Sequence, residues 1–322
     1  MATSTRQFLT AAGFPPRDAA ELPTSAKRFP DGAQYRIEVP STEGPEYLRA
    51  VIEESTRRSV VVHRVSQGSG VFLQTDQELD EMAQLARDAG IEVSLAARPN
   101  AAWQTSAMAR SSAGSIVGPT AHGQDQLVHQ LQDVRRAAAH GFRSVLITDI
   151  GTLLAFGLMR TAGLIPPDMQ AKISVLLPLA NPCAARVAVD LGADTINVPT
   201  DLSLAEIAAI RATIDIPLDV YVESANEFGG FLRFHEVPEL IRVAAPVYLK
   251  FGLRNAPDIY PTGGQIAATA LLMTRERIRR AQLVSELIAR EYPTALRSAS
   301  SGALGLALVQ PAADEWWVSD ER

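Results

Sequence analysis

Eight short runs rich in β-branched residues, each followed by a helical pattern, constrain the fold of this chain most. The runs begin at Tyr35 ("YRIEVP"), Val60 ("VVVHRV"), Ile91 ("IEVSLAAR"), Ser144 ("SVLITD"), Lys172 ("KISVLLP"), Thr195 ("TINVP"), Pro217 ("PLDVYVE") and Pro246 ("PVYLKFG"). Runs of this kind suit buried strands. Strands that alternate with helices pair in parallel through crossovers. Eight in succession predict an α/β fold, a single (β/α)8 TIM-type barrel over residues 35–291. An irregular lead-in over 1–34 and a loosely ordered tail over 292–322 flank it. A doubly wound open sheet is the alternative topology.

The connecting segments read as helices with defined starts. In "TDQELDEMAQLARDAG", Thr75 and Glu78 have capping-box spacing, Leu79, Met82 and Leu85 share a face, and Gly90 stands at the C-cap. Ser203 and Glu206 repeat the box before "LAEIAAIRATI". Strand starts lie 22 to 31 residues apart, except for a gap of 53 between Ile91 and Ser144. The surplus, "PNAAWQTSAMARSSAGSIVGPTAHG", comes after the third strand at the end where barrels carry their sites. It reads either as a lid or as a solvated insertion.

The 322 residues are 47% hydrophobic and 20% charged, which suits a chain with a sizeable core. A net charge of −6 argues against a nucleic-acid partner. No run of about 18 apolar residues occurs, so no membrane partner is expected. The first residues lack the apolar region of a secretory signal, and the expected location is cytoplasmic. Cys183 is the only cysteine, too few for an iron–sulfur cluster within one chain. The expected partner is a small-molecule or short peptide-like substrate. Self-association into a homo-oligomer stays open, with Trp316 and Trp317 able to dock the tail on the barrel or on another copy.

Alternation along each strand assigns the inward side chains, because the helix-facing side must be apolar. Ile37 and Val39 go outward, leaving Arg36 and Glu38 inside. Val220 and Val222 go outward, leaving Asp219, Tyr221 and Glu223 inside. Leu249 and Phe251 go outward, leaving Tyr248 and Lys250 inside. Arg98 points inward at the mouth, and Arg64 opposes His63. Asp149 and Asn197 are further candidates from their strand ends. Glu223 and Lys250, ending adjacent strands in the same phase, are expected to form an ion pair. This polar ring reads either as a structural network or as an active site.

Other motifs are weaker. "SQGSG" at Ser66–Gly70 lacks the nucleophile-elbow spacing, but its backbone N–H groups could bind an anion. Gly229–Gly230 and Gly263–Gly264 fall where barrels often bind phosphate, and ordinary turns explain them as well. Arg254 and Asn255 beside them suit a phosphate or carboxylate. Glu38, Asp219 and Glu223 together could hold Mg²⁺ or Mn²⁺, with Lys250 competing for the same place. The basic stripe of "MTRERIRRAQLVSELIARE" reads as a solvated face.

Over Ser144 to Tyr260 the chain resembles the collagenase-like peptidase family (peptidase U32). "TDIGTLL", "NPCAARVAVDLGADTINVPTDLSLAEIAAIR", "PLDVYVESA" and "VYLKFGLRN" are similar, in order, to four motifs of that family. The resemblance implies a barrel whose members have been assigned to proteolysis and to hydroxylation of RNA bases or quinone precursors. A histidine typical of the family falls at Glu223, and an arginine at Thr200. The cysteines that hold an iron–sulfur cluster in several members are absent, so the chain reads as a divergent member without that cofactor.

These readings point to a barrel enzyme with hydrolase or lyase chemistry on a small polar or anionic substrate. Glu223 and Lys250 form the expected acid–base pair, supported by Glu38 and Asp219. Arg64, Arg98, Asp149, Asn197, Tyr221, Arg254 and Asn255 are the expected substrate-binding groups. A non-catalytic barrel that binds a ligand or a partner is the alternative.

Overall fold

The computed structural model describes residues 4–11, 21–98, 119–299 and 301–317. Eight parallel strands close into a barrel in sequence order: β1 (Tyr35–Pro40), β2 (Arg64–Gln67), β3 (Glu92–Ala97), β4 (Ser144–Ile147), β5 (Gln170–Ile173), β6 (Thr195–Asn197), β7 (Leu218–Glu223) and β8 (Val247–Phe251). Closure is set by the pairing of β1 with β8, with Tyr35 opposite Val247 and Glu38 opposite Lys250. An open sheet would keep those two strands apart, so that alternative is excluded.

Each strand is followed by a helix on the outside. The helix over Asp76–Ala89 starts on the Thr75–Glu78 capping box and ends on Gly90 in the left-handed conformation. The helix over Leu204–Thr213 starts on the matching Ser203–Glu206 box. Outward strand residues such as Val39, Val65, Val93, Ile173, Val220, Leu249 and Phe251 join helix residues such as Leu48, Leu79, Met82 and Ile278 in one apolar layer. The surplus after β3 lies mostly at residues 99–118, outside the described residues.

The lead-in and the tail close the bottom of the barrel, where the strands begin. Phe29 packs edge-on against Tyr248 with ring centroids 5.2 Å apart, and the Arg36 guanidinium lies 4.1 Å from the Phe29 ring. Arg36 donates to Ser298 Oγ at 2.9 Å and to the Leu304 carbonyl at 2.6 Å. Gly302, Gln310 and Ala313 donate backbone N–H groups to Gly90, Gly141 and Ala139. The expectation of a loose tail is therefore corrected for its described residues. The buried Arg36 requires acceptors, and the tail, a strap beneath the barrel, supplies them.

Candidate active site at the barrel mouth

Inward-facing positions of small barrels are usually filled by branched apolar side chains. Here the middle layer is ionic. Arg64 from β2 donates to Glu38 Oε2 through Nε at 2.8 Å and Nη2 at 2.6 Å, and it also bonds Asp219 on β7. Lys172 from β5 bridges the same two carboxylates, with Nζ 2.6 Å from Glu38 Oε2 and in direct contact with Asp219 Oδ2. The Arg64 guanidinium stacks 3.5 Å from the Tyr248 ring centroid. All four charged groups are essentially buried. Burial alone would raise the Glu38 carboxyl, but Arg64, Lys172 and Lys250 together hold it well below the usual carboxylate range. Burial and the neighbouring Arg64 lower Lys172 to about 8, against the opposing pull of Asp219 and Glu38.

Above this layer lies a cavity of about 250 Å³ at the C-terminal ends of the strands. Lys250, Asn197 and Ser66 are among its lining residues. Lys250 Nζ sits 3.3 Å from Glu38 Oε1 and 4.7 Å from the Tyr221 ring centroid. Asn197 is oriented by its neighbours: its oxygen accepts from Lys250 Nζ at 3.0 Å, and its nitrogen donates to the Asp219 carbonyl at 3.1 Å. Ser66 donates to Glu38 Oε1 at 2.9 Å. The walls carry Arg98, Tyr221, Phe228, Tyr260 and Arg277, with the exposed carboxylates Glu227 and Asp258 also lining the cavity.

Of the residues expected from the sequence, Lys250, Asn197, Tyr221 and Arg98 line this cavity. Arg98 also donates to the Gly68 carbonyl at 3.1 Å. Glu38, Asp219 and Arg64 lie directly beneath, bound to one another. Four expectations are corrected. Glu223 does not pair with Lys250. The β7–β8 register shifts after Tyr221–Lys250, so Glu223 stands opposite Phe251, an outward residue. An extra residue in one strand reverses the facing of the residues after it. Glu223 Oε1 instead accepts the Arg254 N–H at 3.0 Å, and its Oε2 lies 3.2 Å from Arg280 Nε. Burial raises its carboxyl.

The local cause is Gly252. Its N–H donates to the Glu223 carbonyl at 2.7 Å, and a Cβ there would sit 2.9 Å from that oxygen. Only glycine lets the two strand ends approach so closely.

Arg254 and Asn255 are exposed and line a separate outer groove with Glu223 and Arg280, not the mouth. Asp149 is the N-cap of the helix over Ile150–Thr161, where Oδ1 accepts the Thr152 N–H at 2.8 Å. Asx residues at strand-to-helix junctions take that role readily. Finally, the carboxylate trio considered for Mg²⁺ or Mn²⁺ is not assembled. Arg64 and Lys172 occupy the space between Glu38 and Asp219, while Glu223 faces Arg280.

The Ser66–Gly70 loop does bind an anion, but an internal one. Buried Glu43 accepts the Gly68 N–H at 2.9 Å and the Ser69 N–H at 2.8 Å. The glycine pair at Gly229–Gly230 forms a turn whose N–H groups go to Asn226 and Ala225.

Two cationic groups at the site, Lys172 and Arg277, are not among those expected from the sequence. Lys172 obeys the alternation used for the other strands, since Ala171 and Ile173 face the helices. Arg277 is buried, not solvated. The helix over Ala267–Glu291 buries Ala270, Thr274, Arg277, Ala281, Val284 and Ile288, a spacing of alternating threes and fours that includes the arginine.

A sequence model of Peptidase family U32 matches residues 120–227, from before β4 to just past β7. The resemblance to that family therefore holds over this segment, which contributes Lys172, Asn197, Asp219 and Tyr221. Glu38, Lys250 and Arg277 lie outside it. A search of curated protein sequences finds no match. Among solved structures, the U32 peptidase Mk0906 is 14% identical with a TM-score of 0.38, over 95% of this chain and 98% of that one. N-(5'-phosphoribosyl)anthranilate isomerase from Pyrococcus furiosus is 14% identical with a TM-score of 0.41, over 77% and 99%. A truncated 3-deoxy-D-arabino-heptulosonate 7-phosphate synthase from Thermotoga maritima is 13% identical with a TM-score of 0.42, over 80% and 89%.

Proposed function

We propose that this chain is a barrel enzyme that performs hydrolase or lyase chemistry on a small anionic substrate at the C-terminal mouth, with Lys250 as its proton-transfer group. The observation that carries the reading is the placement of Lys250 Nζ. It lines the cavity, held from below by Glu38 at 3.3 Å and from the side by Asn197 at 3.0 Å. An ammonium so fixed can deliver a proton to a leaving or carbonyl oxygen and regain one from solvent, the step both reaction classes share. Glu38 is a positioning residue. Both its oxygens are engaged, and its carboxyl stays ionised. Asn197 and Tyr221 shape the floor, and the cations Lys250, Arg98 and Arg277, more buried than the exposed Glu227 and Asp258, favour an anion. The family match supports an enzyme, and the family's name makes peptide-like amides one class to try.

The test is a comparison of wild type with Lys250→Met on a panel of small carboxylates, phosphate esters and short peptides, followed by proton NMR. Conversion by wild type that falls by roughly 10²–10⁴ in the folded variant supports the assignment. Equal conversion by both proteins removes Lys250 from the chemistry. The saturation of Glu38 favours a second reading, a ligand-binding barrel without turnover. Binding without conversion by wild type is its signature.

A further inference from the structure

We infer that Arg277 is the anion-binding residue of the mouth, and that its ligand is a small carboxylate with an apolar body. The inference rests on the site placement proposed above and adds the class of substrate. Arg277 is 2% exposed and lines the cavity. Its Nε and Nη1 nitrogens are buried with no hydrogen-bond acceptor among the described residues. The charged groups nearest it electrostatically are already engaged. Glu43 binds the Gly68 and Ser69 N–H groups, and Glu223 binds the Arg254 N–H and faces Arg280. The Tyr260 hydroxyl is paired with Ser41 at 2.6 Å. A buried guanidinium without an acceptor is costly. Such a group is kept where a ligand supplies the missing anion, and function sets aside stability.

The chemistry of the walls chooses the ligand. Phosphate sites in barrels present backbone N–H groups from the loops after the seventh and eighth strands. Here Gly229 and Gly230, after the seventh strand, spend theirs within a turn, and after the eighth strand Gly252 and Arg254 donate theirs to Glu223, Asn255 to Asn226 and Thr262 to Ser69. A side-chain guanidinium is then the donor, and its planar geometry suits a carboxylate. Phe228, Leu253, Ile259 and Met273 line the same cavity and suit an apolar body of about one ring.

The experiment uses 4-iodobenzoate as the probe, with affinity from calorimetry and position from iodine anomalous diffraction. Wild type should bind it in the mouth. Arg277→Met should weaken binding roughly ten- to a hundredfold, the scale of a charge-assisted hydrogen bond. Its melting temperature should hold or rise, because an uncompensated buried charge has gone. Arg280→Met, one turn away and facing Glu223, should bind as wild type does. Unchanged binding by Arg277→Met overturns the inference. So does a collapse of its melting temperature, which would make the arginine structural. Inorganic phosphate seated on Arg277 with iodobenzoate excluded overturns the carboxylate class. The catalytic assignment is read separately, from conversion of the substrate panel by Lys250→Met, so its failure and the failure of the Arg277 anion site are distinguishable.

Discussion

Glu38 and Lys250 face each other across the seam where the barrel closes, as register partners on β1 and β8 with Oε1 and Nζ 3.3 Å apart. The relationship is unequal. Glu38 also holds Arg64, Lys172 and Ser66, whereas Lys250 has only Glu38 as an ionic partner among the described residues. Glu38→Gln therefore leaves three buried cations short of an anion and should cost about 3–5 kcal/mol. Lys250→Met leaves Glu38 with its other partners and should cost less than half as much. Urea denaturation of both variants checks the asymmetry. Equal losses would mean that the ammonium, too, is structural.

His63 gives a pH dependence with a definite sign. It is fully buried, its Nδ1 accepts the Ile37 N–H at 3.0 Å, and Nε2 donates to the Ser298 carbonyl at 3.1 Å. Both bonds are satisfied by the neutral ring, and burial lowers its pKa to about 4 from 6.5. The unfolded chain binds the proton first, so stability is full above about pH 6.5 and falls as pH drops towards 4. The loss from this residue should approach roughly 3 kcal/mol. Stability measured by urea melts from pH 7 to 4 should therefore slope less in His63→Gln than in wild type.

The barrel and its seam are legible in the sequence because β-branched runs and apolar alternation report on burial, which is set locally. That rule places Glu38, Asp219 and Lys250 inward. Glu223 escapes it, since a one-residue register shift beside Gly252 depends on how two strand ends meet and leaves no mark on either strand alone. Arg277 is hidden for a different reason. A charged residue on an apolar helix stripe looks like a solvated interruption until the cavity it faces is known. Asp149 shows the reverse error, because a carboxylate at a strand end serves equally well as a helix cap.

Glu223 provides a direct check of that corrected geometry. Its carboxylate accepts the Arg254 N–H, a role that a glutamine oxygen can keep. Glu223→Gln should stay folded and bind 4-iodobenzoate within about twofold of wild type, as expected for a group outside the mouth. Since burial raises this carboxyl, ionising it costs stability at neutral pH, and the variant should lose little there. A large loss of affinity would return Glu223 to the site.

The strap beneath the barrel should be needed for folding. Deleting residues 293–322 removes the Ser298 hydroxyl and the Leu304 carbonyl from Arg36, and the Ser298 carbonyl from His63. Leaving a buried charged donor without its acceptors is costly on the scale of several kcal/mol. The truncated chain should melt well below the full one. Adding Arg36→Met to the truncation should recover part of the difference, because the unpaired charge has gone. If truncation alone leaves the melt unchanged, the strap is ornamental to the barrel.

Gly68 offers a test that perturbs the mouth without touching a charge. A Cβ at this position would lie 2.6 Å from Tyr260 Cε1, so the ring occupies the space that glycine leaves open. Tyr260 in turn bonds Ser41 and lines the cavity beside Arg277. Gly68→Ala must therefore displace the ring whose hydroxyl bonds Ser41, and overpacking of this kind typically costs about 1–3 kcal/mol. The displaced ring has the cavity on one side, so iodobenzoate affinity should fall together with stability. The rescue is Tyr260→Leu in the same chain. The shorter side chain clears the added methyl, and the double variant should regain stability relative to Gly68→Ala. A non-additive pair of at least roughly 0.5 kcal/mol in the double-mutant cycle would establish the contact. Additive effects would show that Gly68 is small for some reason other than Tyr260.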